Sequence, residues 1–259
     1  MAGEKTEGAV VGMVHKSTNI STQEITDKEL RAINKYTLEP LKAEDLFVFR
    51  AVLCDNDVDR DFERFDMKTL NDLSKLFLGK TVIKDHMPKA DNQVARIYAT
   101  ELVQSDKTLE CGELYTQLVA KCYMIRTAGN TDLIAEINGG IKKEGSVSCS
   151  VKSMFCSICG LDNRKSYCSH FHGRYYDTDI GKKLCTFTLS GAKDAYEFSL
   201  VSIPAQKAAG VSKSYTGETV YEKDIAESTA LEGAKADAEK VKELILRTRL
   251  GALQSKIKY

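Results

Sequence analysis

Apolar positions through residues 1–44 keep no period, and a Ser/Thr-rich stretch at 17–22 reads as part of an extended N-terminal arm. From Leu46 the texture changes. Leu46-Phe47-Val48-Phe49-Arg50-Ala51-Val52-Leu53 is dense in β-branched and aromatic residues, which predicts a strand. An acidic turn follows from Asp55 to Asp61. Asp66 then reads as the N-cap of a short helix with Met67, Leu70, Leu73 and Phe77 on one face, stopped by Gly79. Strands are expected at 80–85, 93–103 and 113–125, the last with Leu114, Leu118, Ala120, Cys122 and Met124 at alternate positions. Asn130 or Thr131 caps a second helix carrying Leu133, Ile134 and Ile137, ended by Gly139-Gly140. A strand at 144–155, a cysteine-rich insertion at 156–176 and strands near 184–189 and 195–203 complete the body. Beyond Glu222 the spacing of Ala234, Ala238, Val241 and Ile245 predicts one long amphipathic helix, acidic at its start and basic at its end. The pattern is that of one β-rich α+β domain over 45–212, an arm at 1–44, and a linker with the C-terminal helix over 213–259.

Composition narrows the class. Lys+Arg and Asp+Glu are equal at 37 each in 259 residues, so the chain lacks the basic excess of a protein that coats nucleic acid. No apolar run reaches the roughly 18–20 residues of a membrane span, and the opening MAGEKTEGAVVGMVHK has no signal-peptide core. A soluble, intracellular chain with reduced thiols is expected. Asp55, Asp57 and Asp59 match the first ligand positions of an EF-hand. Arg60 takes the glycine position and Asp66 that of the bidentate Glu, so an acidic loop is the simpler reading.

Three of the eight cysteines cluster. Cys156-Ser-Ile-Cys159-Gly160 makes the tight turn that aims two thiolates at one ion, and Cys168-Ser-His170 can close a tetrahedral shell. Cys156, Cys159, Cys168 and His170 are the expected ligands of a structural zinc, with His172 the alternative fourth. Buried thiols or a redox pair are the plainer account, but three cysteines and two histidines within 17 residues favour a metal. Residues 142–183 hold eight Lys/Arg against four Asp/Glu, so nucleic-acid contact through this knuckle is a competing reading.

With four histidines in all, elimination is informative. His15 lies in the arm and His170 and His172 belong to the cluster, which leaves His86, at a strand end before Pro88. In Glu144-Gly145-Ser146-Val147-Ser148-Cys149-Ser150, alternation puts the serines on one face. A serine there can act as a nucleophile if a histidine accepts its proton; an ordinary polar-out strand is the plain alternative. Cys149 faces the apolar side, where a thiol stays protonated. Further on, Glu197 and Ser199 share a face of the last strand, and a carboxylate there can orient a histidine.

Taken in order, these segments resemble the head-maturation (prohead) serine proteases of tailed bacteriophages. The resemblance runs over about 45–212. It rests on Val58-Asp59-Arg60-Asp61-Phe62-Glu63-Arg64-Phe65, on Gly79-Lys80-Thr81-Val82-Ile83-Lys84-Asp85-His86, and on Gln93-Val94-Ala95-Arg96-Ile97-Tyr98. Lys143-Glu144 before Ser146, and Tyr196-Glu197-Phe198-Ser199-Leu200-Val201-Ser202-Ile203-Pro204-Ala205-Gln206, complete it. One branch of these proteins has a similar Cys-x2-Cys…Cys-x-His insertion. The resemblance implies a fold similar to herpesvirus assemblin, a β-barrel-like core flanked by helices, with His86 as general base, Ser146 as nucleophile and Glu197 as third member. Relatives continue Val-Gly where this chain has Val147-Ser148, so a register two residues on, with Ser148 as nucleophile, stays open; relatives also have Gly where Ala95 stands. The implied substrates are scaffold segments and the N-terminal extension of the major capsid protein. The implied partners are those proteins with the portal or other head proteins, and a homo-oligomer is expected. The implied setting is the host bacterial cytoplasm and the procapsid or virion interior. A non-catalytic head protein keeping the same fold is the other alternative.

Overall fold

The strand expected from Leu46 forms as β1 (Leu46–Asp55), buried along most of its length because both faces are covered. The computed structural model describes residues 25–179 and 181–212. The described residues all fall in one compact unit. His15, the Ser/Thr stretch and the helix expected beyond Glu222 lie outside the described residues.

Within the stretch read as an arm, α1 (Asp27–Ile33) is a helix closed by a Thr26/Glu29 capping box. After β1 come β2 (Glu63–Phe65), α2 (Met67–Leu76), β3 (Thr81–Lys84), β4 (Ala95–Thr108), β5 (Leu114–Ile125), α3 (Thr131–Asn138) and β6 (Gly145–Cys156). A short hairpin, β7 (Tyr175–Thr178) and β8 (Gly181–Leu184), precedes β9 (Phe187–Leu200) and β10 (Gly210–Ser212). The fold is mixed α/β with a strand-rich sheet core and few helices. Asp66 caps α2 by accepting the Thr69 N–H at 2.7 Å, and Leu70, Leu73 and Phe77 are fully buried against the sheet, as the periodicity predicts. α1 packs Ile33 against Leu46, Tyr98 and Tyr123, while Glu29 takes Lys121 Nζ at 2.8 Å.

Strand order in the eight-stranded sheet is β10-β1-β5-β4-β3-β9-β2, with β6 on the other edge of β9. This corrects the expected barrel: the sheet is not closed. β6 and β10 meet only at the isolated bridge Glu144–Gly210, flanked by Gly145 N–H to Ala209 O at 3.2 Å and Val211 N–H to Lys143 O at 2.6 Å. Among the described residues no other pairing joins β10 to β6. β9 is one strand rather than the two expected. Gly191, at φ 71°, lets the chain bend at the polar middle of the strand without breaking the pairing to β6.

β9 is the hub of the fold. One edge takes β2 and then β3 in parallel, and the other takes β6 antiparallel over its whole length. The acidic loop between β1 and β2 is tied by its own carboxylates: Asp59 Oδ1 accepts the N–H groups of Asp61 and Glu63, both at 2.9 Å. Arg60 anchors it to the Pro204 and Ala205 carbonyls.

Candidate functional site

His86 stands on a strained turn. Asp85 and His86 follow β3 with φ of 55° and 52°, the left-handed region that costs a non-glycine residue about 1–2 kcal/mol. Met87 N–H donates to Lys84 O at 3.1 Å, and the Asn92 side-chain amide donates to Lys84 O and Met87 O at 2.6 and 2.9 Å. From the sheet side, Asp85 N–H reaches Leu200 O and His86 N–H reaches Ser199 Oγ, each at 3.0 Å. Backbone held in this region by its surroundings is a mark of functional sites.

Register supplies the partners. Across β6 and β9, Ser148 pairs with Glu197 and Ser146 with Ser199, so alternation brings all four side chains to one face. The imidazole lies over that row, with Nδ1 2.7 Å from Glu197 Oε1 and 3.1 Å from Ser148 Oγ. Ser199 Oγ donates to Glu197 Oε2 at 2.8 Å while accepting the His86 N–H. Glu197 and Ser199 are buried, and the His86 side chain is 39% exposed, which leaves it room to turn.

Counting donors assigns the proton. Ser199 has one hydrogen and gives it to Glu197 Oε2, and an ionised carboxylate only accepts. The hydrogen between Glu197 Oε1 and Nδ1 therefore belongs to the ring, the tautomer that places the lone pair of an uncharged imidazole on Nε2. Ser148 Oγ sits beside the same nitrogen as the carboxylate. A relay of hydroxyl, imidazole and acid needs them on opposite nitrogens, so the ring must turn before it can take the Ser148 proton.

Of the sequence candidates, the fold brings His86 and Glu197 into contact. Their hydroxyl neighbour is Ser148, two residues beyond the first-choice Ser146, which pairs one row further along and makes no hydrogen bond to His86. A register shift follows at once between Ser148 and Cys149, where a bulge re-aims the strand. The glycine before the serines serves packing: a Cβ on Gly145 would lie 2.1 Å from the Phe198 ring. Cys149 packs against the core, and burial pushes its thiol up to about 11. Ser199 is the site residue that the sequence reading left without a role. Its shared face with Glu197 is visible in the pattern, but its other partner is 113 residues away.

The cysteine cluster assembles in the β6–β9 connection. Ligand atoms of Cys156, Cys159, Cys168 and His170 lie within 4.8 Å of one another and could hold a metal ion. Two observations fit that use. His170 Nδ1 is buried with no hydrogen-bond partner, an expensive state unless something else takes its lone pair. Burial raises the Cys156 thiol, but backbone N–H groups of Cys159 and Ile158 outweigh it and leave the pKa lowered, toward the thiolate a metal needs. His172 stands apart, its ring against Phe187 at 5.6 Å and Phe62 at 6.4 Å. No helix among the described residues is long and apolar enough to cross a membrane. Comparison with protein-family models, with curated proteins and with solved structures gave no match.

Proposed function

We propose that the chain is a serine endopeptidase of the phage head-maturation type, with Ser148 as nucleophile, His86 as base and Glu197 as the carboxylate that orients it. One observation carries this reading: on a strained turn, the imidazole lies within hydrogen-bond reach of both a strand serine and a buried carboxylate. The phage assignment rests on the resemblance of the ordered segments, and the substrates it implies are scaffold segments and the N-terminal extension of the major capsid protein.

The chemistry is acyl transfer. Glu197 holds Nδ1–H, which keeps Nε2 unprotonated and able to accept. A turn of the exposed ring brings Nε2 to Ser148 Oγ, whose attack on the scissile carbonyl releases its proton to the imidazole. That proton then goes to the leaving amine, and water repeats the sequence to free the acid. Catalytic hydrogen bonds are often misaligned in free enzymes and tighten on substrate. Cys156, Cys159, Cys168 and His170 fit a structural zinc, since four protein ligands leave no position for reacting water. A zinc held by these four residues would supply a cross-link between the two ends of the insertion.

Labelling with a fluorophosphonate followed by peptide mass mapping tests the reading. An adduct on Ser148 is expected, abolished by Ser148→Ala or His86→Ala and kept by Ser146→Ala. Absence of any adduct, with no self- or capsid-protein cleavage, sinks it. The sharing of Nδ1 by hydroxyl and carboxylate favours a second reading, a non-catalytic head protein that keeps the fold. That is what an unlabelled chain would indicate.

A further inference from the structure

A fifth donor lies beside the four-donor cluster, on its Cys156 side. Cys185 is fully buried, and its Sγ lies 3.8 Å from Cys156 Sγ with no disulfide between them. Two thiolates about 2.3 Å from one ion, at tetrahedral angles, stand about 3.8 Å apart. The pair is therefore spaced as two ligands of a single ion.

The backbone holds Cys185 in that place. Its N–H donates to Arg174 O at 2.8 Å, its carbonyl accepts Gly173 N–H at 2.9 Å, and Ser157 and Thr186 hydrogen-bond on the cluster side. Phe187 and Cys168 pack around it in a small apolar cluster with Cys156. His170 reaches the centre from the opposite kind of environment, an exposed loop, with its ring edge-on to Tyr176 at 4.6 Å. The two side chains differ in what they bring. His170 offers a neutral nitrogen and leaves a three-thiolate shell; Cys185 makes it four thiolates and one charge more negative. Residues 156–186 carry five Lys/Arg against three Asp/Glu, so the surroundings favour the added negative charge.

We propose that Cys185 is a fifth donor of this centre and that either Cys185 or His170 closes the shell around a thiophilic divalent ion held by Cys156, Cys159 and Cys168. The assignment is independent of the chemistry proposed at His86. When Cys185 coordinates, its thiol proton passes to solvent and the His170 nitrogen is released.

Cobalt reports the ligand set directly. The full chain and its His170→Ala, His170→Phe and Cys185→Ala variants are loaded with Co2+. Visible absorption counts thiolates through their charge-transfer intensity, and a chromophoric chelator measures affinity. Each single variant is expected to bind one Co2+ per chain, within about tenfold of the parent affinity, because a second donor takes the vacated position. His170→Ala should gain charge-transfer intensity, as four thiolates replace three. Removing both donors should weaken binding by at least about a hundredfold. His170→Phe keeps the ring against Tyr176, so it gives the same reading if the alanine variant does not fold. Loss of metal from the His170 variants, or binding without added thiolate intensity, overturns the proposal.

Discussion

Replacing Ser199 by alanine removes one oxygen from a fully buried site and almost no volume, so packing changes little. Two groups lose their partner. The His86 N–H would be left unpaired, and Glu197 Oε2, buried and charged, would lose a donor. An unsatisfied buried polar group costs about 1–3 kcal/mol and a hydrogen bond to a charged group about 1.5–3, so a destabilisation of about 3 kcal/mol is expected. In a domain of this size that lowers the melting temperature by roughly 6–12 °C. The hydroxyl also offsets the left-handed backbone of His86 and aims the carboxylate at Nδ1. Nitrogen NMR of the ring in a Ser148→Ala background should therefore lose the preference for Nδ1–H; with Ser148 intact, the peptide cleavage proposed above should fall about a hundredfold. Ser199→Thr keeps the oxygen and should restore both readings. An alanine variant that melts within 2 °C of the parent (roughly half a kcal/mol here), with the Nδ1–H form intact, would refute the network as drawn.

Adding Zn2+ to metal-stripped protein at about 100 times the dissociation constant should stabilise it by about 2.7 kcal/mol, read as a higher melting temperature that Cys159→Ser abolishes. Burial pushes Asp55 up to about 7, despite donors from Asp57 N–H and Tyr115 OH. Its folded pKa lies above its unfolded one, so its stabilising contribution is complete below about pH 4 and disappears as pH rises to 7. Asp55→Asn should therefore gain on the parent between pH 4.5 and 7.5 by about 3 kcal/mol, read by urea denaturation; an equal gap at both pH values would contradict it. Gly145→Ala drives a Cβ into the buried Phe198 ring and should cost about 3 kcal/mol, with loss of Ser148 labelling because the β6–β9 register carries that residue.

Local signals were readable in the chain and distant ones were not. Asp66 with Leu70, Leu73 and Phe77 announces α2, because cap and face lie within one short segment. Thr26 and Glu29, spaced as a capping box, carried the same kind of signal for α1 within the stretch taken as an arm. Cysteine spacing pointed to Cys156, Cys159, Cys168 and His170. Cys185 stands 17 residues past Cys168 with no motif of its own, and only the hairpin brings its sulfur to Cys156. Choosing between Ser146 and Ser148 required the β6–β9 register, which alternation leaves undetermined by steps of two. Whether a set of strands closes into a barrel depends on shear and on the length of the last strand, and neither is written in hydrophobic period.

The order of elements along the chain also sets when the site can exist. Ser148 and Glu197 are 49 residues apart, and the whole Cys156–His170 knuckle is threaded between them. At about 5–20 residues per second of synthesis, β6 waits roughly 2–10 s on the ribosome before the strand that carries Glu197 and Ser199 has emerged. The knuckle is complete well before that and can fold first. A nascent chain therefore holds Ser148 before Glu197 is there to meet His86, and the site can assemble only as β9 zips into place.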